Sequence, residues 1–127
     1  LTHQSLATPE VIENIAKLGT KPAKFVVELL EHFGVLYEKA QGFQYPPVHD
    51  PCAVAYVIDP EVMTTQKVPI DIELTGTLTL GMTVADFRNP PSEDCNTQVA
   101  VKLHHAYFWD LITDALERIG EVDYDAK

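Results

Sequence analysis

Residues 46–60 read Pro46-Pro47-Val48-His49-Asp50-Pro51-Cys52-Ala53-Val54-Ala55-Tyr56-Val57-Ile58-Asp59-Pro60. A Pro-Pro turn stiffens the approach. Asp50 fits an N-cap and Pro51 fits the first helical position, where a missing N–H costs nothing. A short apolar helix to about Ile58 follows, and Asp59-Pro60 ends it. The run therefore predicts a histidine and a carboxylate side by side at the mouth of a helix.

Upstream, the spacing predicts two more helices. Thr8-Pro9-Glu10 opens the first, with Val11, Ile12, Ile15 and Leu18 on one face and Gly19 as its stop. Thr20 with Pro22 opens the second, whose face is Phe25, Val26, Leu29, Leu30, Phe33, Leu36 and Tyr37. Gly34 weakens it by about 1 kcal/mol relative to alanine. Residues 38–48 then predict a loop that is aromatic for its length.

Downstream the period changes from helical to alternating. Val68, Ile70, Ile72 and Leu74 alternate with polar residues or proline, and so do Leu78, Leu80, Met82 and Val84. With a turn near Thr75-Gly76-Thr77, the pattern predicts a long antiparallel hairpin with one wet face. Residues 89–94 are a loop. Gln98–Leu103 is a further strand, with Val99, Val101 and Leu103 on one face. His104 to Ile119 is a closing helix with Phe108, Leu111, Ile112, Ala115, Leu116 and Ile119 inward, ended by Gly120 and followed by a polar tail. The fold class is α/β. So few strands cannot cover so many helices, and part of the sheet is expected to lie outside this chain.

Composition narrows the function. The 127 residues fit one domain or part of one, and the apolar fraction of 46% is enough for a core. No stretch approaches the roughly 18 apolar residues that span a membrane. Nine Lys and Arg stand against 19 Asp and Glu, a net charge of −10. That argues against a nucleic-acid or anionic-membrane partner and fits a soluble protein handling a neutral or cationic small molecule. Cys52 and Cys95 are too few and too far apart for a disulfide framework or zinc cluster. They read as reduced thiols in a cytoplasmic compartment, most simply as small buried hydrophobes.

The candidate chemistry is confined to few residues. Asp50 suits a hard divalent cation and His49 a general acid or base beside it. The same pair also reads as a plain capped turn, since one carboxylate cannot hold an ion that takes about six oxygens. Tyr37, Phe43 and Tyr45 suit either a lid over a flat ligand or packing against nearby helices. His3, His32, His104 and His105 look ordinary, and Trp109 reads as core or subunit interface. There is no phosphate-binding glycine loop, no Gly-x-Ser-x-Gly elbow and no Cys-x-x-Cys pair.

The run Pro47 to Pro60, with Leu80-Gly81-Met82-Thr83-Val84-Ala85-Asp86 at the end of the hairpin, resembles the inosine–uridine-preferring nucleoside hydrolases. Leu1-Thr2-His3-Gln4, the Thr8-Pro9 helix and the stretch from Val99 to Trp109 stand in the matching order. The family's aspartate-rich amino-terminal motif, DxDxxxDD, and the middle segment that supplies its asparagine and glutamate ribose contacts are absent. The resemblance thus implies that residues 1–127 are the carboxy-terminal portion of a single open, mixed-sheet nucleoside hydrolase domain. It implies a calcium-dependent homo-oligomer, a dimer or tetramer, that hydrolyses ribonucleosides to ribose and base in nucleoside salvage. On that resemblance Asp50 ligates calcium, His49 serves the departing base, and Tyr37 or Tyr45 closes over it. The isolated chain is expected to be inactive. The alternative is a non-catalytic, ligand-binding or regulatory relative of the same fold.

Overall fold

The structure, a computed structural model, describes residues 1–122. The expected polar tail beyond that point, with Asp123-Tyr124-Asp125, lies outside the described residues. Four helices carry two small antiparallel ladders. The helices are α1 (Pro9–Lys17), α2 (Lys21–Gln41), α3 (Asp50–Ile58) and α4 (His105–Gly120). The strands are β1 (Met63–Lys67), β2 (Ile70–Ile72), β3 (Thr83–Ala85) and β4 (Gln98–Leu103).

Both expected helix openings form. Thr8 accepts the Val11 N–H and Thr20 the Ala23 N–H through their side chains, which satisfies donors left free by the first helical turn. Val11 and Ile15 of α1 are buried, and Gly19 takes φ +66° just past the helix. α2 runs further than its periodicity suggests. Glu38, Lys39, Ala40 and Gln41 are good helix formers, so the expected loop begins only at Gly42, with φ +71°. The stripe of α2 that is covered is also narrower than expected. Ala23 and Leu30 are buried, whereas Phe25, Leu29, Phe33 and Leu36 are exposed.

α3 begins one residue earlier than expected, which corrects the role of Asp50. His49 already has helical angles (φ −84°, ψ −58°) and makes no side-chain cap. Asp50 is therefore the first helical residue and Pro51 the second. The Asp50 carboxylate is exposed at the positive end of the helix dipole rather than folded back as a cap. Asp59 ends α3 in an extended conformation, and its Oδ1 accepts the Glu61 N–H at 2.9 Å, starting a single 3-10 turn over Pro60–Val62.

β1 has no alternating signature, since Met63-Thr64-Thr65-Gln66-Lys67 contains one apolar side chain. It forms because β4 supplies a partner. Met63 lies opposite Leu103 and Lys67 opposite Gln98, with a bulge between Thr64 and Thr65. β4 spans the expected residues, but the register shift breaks the expected face of Val99, Val101 and Leu103: Leu103 is buried and Val101 is exposed. The long hairpin, by contrast, is short. β2 and β3 share only three residue pairs, from Ile70–Ala85 to Ile72–Thr83. Glu73 Oε1 accepts the N–H groups of Thr75 and Gly76, and Gly81 at φ +84° turns the chain back. These bonds fold residues 73–82 into a compact tip in place of a ladder. Leu78 at the tip is 97% exposed.

α4 buries Phe108, Trp109 and Leu116 against α1, α2 and α3, while Ile119 stays exposed. Trp109 is thus core. Gly120 keeps a negative φ and is followed by Glu121 with helical angles, so it is not the expected helix stop, and its missing side chain answers to packing instead. A Cβ there would lie 2.4 Å from Thr20 Cγ2, at the start of α2. α3 is apolar on both sides. Cys52 and Ala55 face the core, whereas Val54, Val57 and Ile58 are exposed.

Candidate active site

His49 is delivered by a clamped segment. The Ala7 N–H donates to the Pro46 carbonyl at 2.9 Å, and the Val48 N–H donates to the Ser5 carbonyl at 3.2 Å. Leu6 and Pro47 form the bridge between these two pieces of chain. Ser5 is fully buried, with its Oγ 2.6 Å from the carbonyl oxygens of Thr2 and Val48. Cys52 Sγ donates to the Val48 carbonyl, so this thiol is a packing group with a structural bond. Cys95 lies elsewhere, beside Thr97, whose hydroxyl first and backbone second hold the thiol below the usual range by hydrogen bonding.

Around His49 stands an aromatic shell. The Tyr37 ring meets the imidazole edge to face at 6.1 Å, and the His3 ring lies at 5.5 Å. Phe43 closes the group, 4.9 Å from His3 and 6.2 Å from Tyr37, and Phe33 stacks on the outer side of Tyr37. Within this shell His49 Nε2 is buried and has no hydrogen-bond partner among the described residues. A buried polar atom without a partner calls for an explanation. His49 as a residue borders space. His49 lines a cleft of about 430 Å³ between α2, α4 and the start of α3, whose walls include Phe33, Tyr37, Asp50 and Trp109. It also lines a smaller hollow of about 270 Å³ next to Cys52, Tyr56 and β1.

The structure thus brings His49, Asp50 and Tyr37 to one cleft. Tyr45 is half-buried on the same loop and lines neither space. His3 joins the shell although nothing in its spacing marks it, and Phe33 joins from the helix face it shares with Tyr37. His3 arrives through the pairing of residues 5–7 with 46–48, and Phe33 through the turn of α2 that it shares with Tyr37. Trp109 becomes a wall because α4 packs across α2.

The far end of α3 is fixed separately. The Tyr107 hydroxyl donates to Asp59 Oδ2, which ties α4 to the end of α3. That bond, followed by the Glu61 N–H, holds the Asp59 carboxyl below the ordinary value of 3.8. The same bond pushes the Tyr107 phenol above its ordinary value of 10.0.

Metal chemistry does not arise from these residues alone. No group of three or more His, Cys, Asp or Glu side chains converges among the described residues. Asp50 offers one carboxylate, where a hard divalent cation takes about six oxygens. What the cleft does offer is apolar walls suited to a flat ring, with His49 and Asp50 among the residues that line it. No helix among the described residues is long and apolar enough to cross a membrane.

Comparison with known proteins places this geometry. Residues 1–110 match the family described as inosine-uridine preferring nucleoside hydrolase. Proteins of that name from Crithidia fasciculata and Leishmania major are 59% and 60% identical to the chain over 121 residues. The match covers 95% of this chain, and the chain spans 38% of the length of each relative. A solved purine-preferring ribonucleoside hydrolase from Gardnerella vaginalis superimposes with a TM-score of 0.77 at 26% identity. It covers 96% of this chain and 39% of its own. The chain belongs to the inosine-uridine preferring nucleoside hydrolase family.

Proposed function

We propose that the protein to which this chain contributes hydrolyses the N-glycosidic bond of ribonucleosides, releasing ribose and the free base. The observation that carries this reading is the buried, unpartnered Nε2 of His49, a residue that lines a cleft with aromatic walls. An imidazole so placed can give a proton, or a hydrogen bond, to a ring nitrogen of the departing base. Tyr37 and Phe33 give that base a flat apolar surface. Tyr45 would reach it only if the loop between α2 and α3 rearranged.

In this reading residues 1–127 form the carboxy-terminal portion of one larger domain. The exposed Val54, Val57 and Ile58 support that assignment, since a helix apolar on all sides belongs in an interior. Asp50 then supplies one ligand of a calcium ion whose remaining ligands come from outside this chain. The family likeness further supports a homo-oligomeric protein of the cytoplasm, working in nucleoside salvage.

The test is release of free base from inosine and uridine by the full-length protein, set beside the 127-residue chain alone. Turnover by the full-length protein and none by the chain is the expected outcome. Turnover by neither would sink the enzymatic reading in favour of a ligand-binding relative. Equal turnover by both would sink the assignment of this chain as part of the site. In the full-length protein Asp50→Ala weakens the calcium titration, and an unchanged titration would remove Asp50 from the ligand set.

A further inference from the structure

His105 opens α4, and its imidazole reaches back towards the start of the chain. Nε2 lies 2.9 Å from the Leu6 carbonyl oxygen and 3.1 Å from the indole Nε1 of Trp109, one helical turn on. The two partners make opposite demands. A carbonyl only accepts a hydrogen bond and an indole N–H only donates one. One nitrogen of a neutral imidazole carries either a proton or a lone pair, so Nε2 serves one partner at a time. The choice then lies in the tautomer. With its proton on Nε2 the ring binds Leu6, and with its proton on Nδ1 it accepts from Trp109.

What the two partners hold gives the choice its meaning. Leu6 pairs with Pro47 in the clamp that delivers His49. Trp109 is the single tryptophan of the sequence, is 5% exposed, and lines the same cleft as His49. We infer that His105 is a positioning residue. Through Nε2 it couples the clamp carrying His49 to the setting of the Trp109 wall, and so governs how tightly the cleft grips a planar base. The inference rests on the reading that this cleft receives the base of a nucleoside.

The test compares full-length protein with its His105→Phe and His105→Gln variants. Phenylalanine fills the space but offers neither donor nor acceptor. Glutamine carries its donor and acceptor on separate atoms and serves both partners together. KM and kcat are measured on inosine. The emission of Trp109 is isolated as the difference from a Trp109→Phe protein. His105→Phe is expected to shift that emission and to raise KM about fivefold with kcat within about twofold, the size of one lost neutral hydrogen bond. His105→Gln is expected to return both to the parent values. Emission and KM unchanged in His105→Phe would overturn the inference, and so would equal losses in both variants, which would mark ring packing alone. If His105→Phe does not fold, His105→Gln decides, because a fivefold rise in its KM overturns the coupling and a parent-like KM upholds it. A parent that hydrolyses no nucleoside sinks the functional reading and this inference with it. A parent that does so while His105→Phe matches it sinks the inference alone.

Discussion

The Tyr37 and His49 rings meet edge to face with ring centroids 6.1 Å apart and planes at 78°. The contact joins a residue late in α2 to one just before α3. It is made by the ring, and no hydrogen bond links the phenol to the imidazole. An edge-to-face pair of this kind contributes about 0.5–1.5 kcal/mol beyond the area it buries. Tyr37→Ala should therefore raise KM for inosine by roughly two- to tenfold in the full-length protein. Tyr37→Phe should leave it within about twofold, because the ring remains. Steady-state kinetics decide between them. Equal losses in the two variants would transfer the role from the ring to the hydroxyl.

The unpartnered Nε2 of His49 leads to a second expectation, about leaving groups. If it serves the departing base, His49→Ala should lower kcat on inosine by about 100-fold, the lower end of general acid catalysis. A riboside whose leaving group is already a stable anion needs no such help. The same variant should then lose less than about tenfold on an activated aryl riboside. Equal losses on both substrates would show that His49 shapes the cleft without serving the leaving group.

How far the sequence alone carries is visible at particular residues. Thr8, Thr20, Gly19 and Asp59-Pro60 are local signals, and each acts where it stands. β4 is legible in its extent, but the register shift opposite Thr64 and Thr65 breaks its alternation and leaves Val101 exposed. β1 is not, because its pairing comes from a distant strand and its own residues carry no period. The hairpin misleads for the opposite reason. Leu78, Leu80 and Met82 alternate, but Glu73 captures the local N–H groups and ends the ladder early. At the site, His49 and Asp50 are legible through their motif and Tyr37 through the helix face. His3 and Trp109 are not, since only the pairing of residues 5–7 with 46–48 and the crossing of α4 over α2 bring them in.

Two helical glycines should respond with opposite signs to alanine. At Gly120 a new Cβ would sit 2.4 Å from Thr20 Cγ2 and 2.6 Å from Thr20 Cβ. The N-cap bond of Thr20 to Ala23 opposes any retreat. Gly120→Ala should destabilise by about 1–3 kcal/mol, as other overpacked sites do. At Gly34 a new Cβ would meet Pro46 Cδ at 3.6 Å, an ordinary contact. Gly34→Ala should stabilise by about 0.5–1 kcal/mol through the lost freedom of the unfolded chain. Denaturant midpoints of the two variants should move in opposite directions. A shift of Gly34→Ala towards lower denaturant would show that Pro46 packs too tightly to yield.

The Tyr107–Asp59 bond gives stability a dependence on pH that one substitution should remove. Asp59 is held below its ordinary value of 3.8, first by the Tyr107 hydroxyl and then by the Glu61 N–H. A carboxyl with a depressed folded value contributes stability that is present above its unfolded value and is lost as pH falls through the folded one. Tyr107 is raised above 10.0 by the same bond, so its contribution is present below that value and is lost as pH rises through the folded one. The joint contribution therefore fills the window between the carboxylate and phenol ranges. It is modest, because both groups meet solvent. Tyr107→Phe keeps the ring and removes the donor. Its Tm should lie below that of the parent across the neutral range, and the two curves should converge on the acid side as pH falls through the depressed folded value of Asp59 in the parent. Measuring Tm from pH 2 to pH 8 in both proteins checks this. Curves that stay parallel into the acid limb would assign the loss to packing and leave the bond without a pH-dependent share.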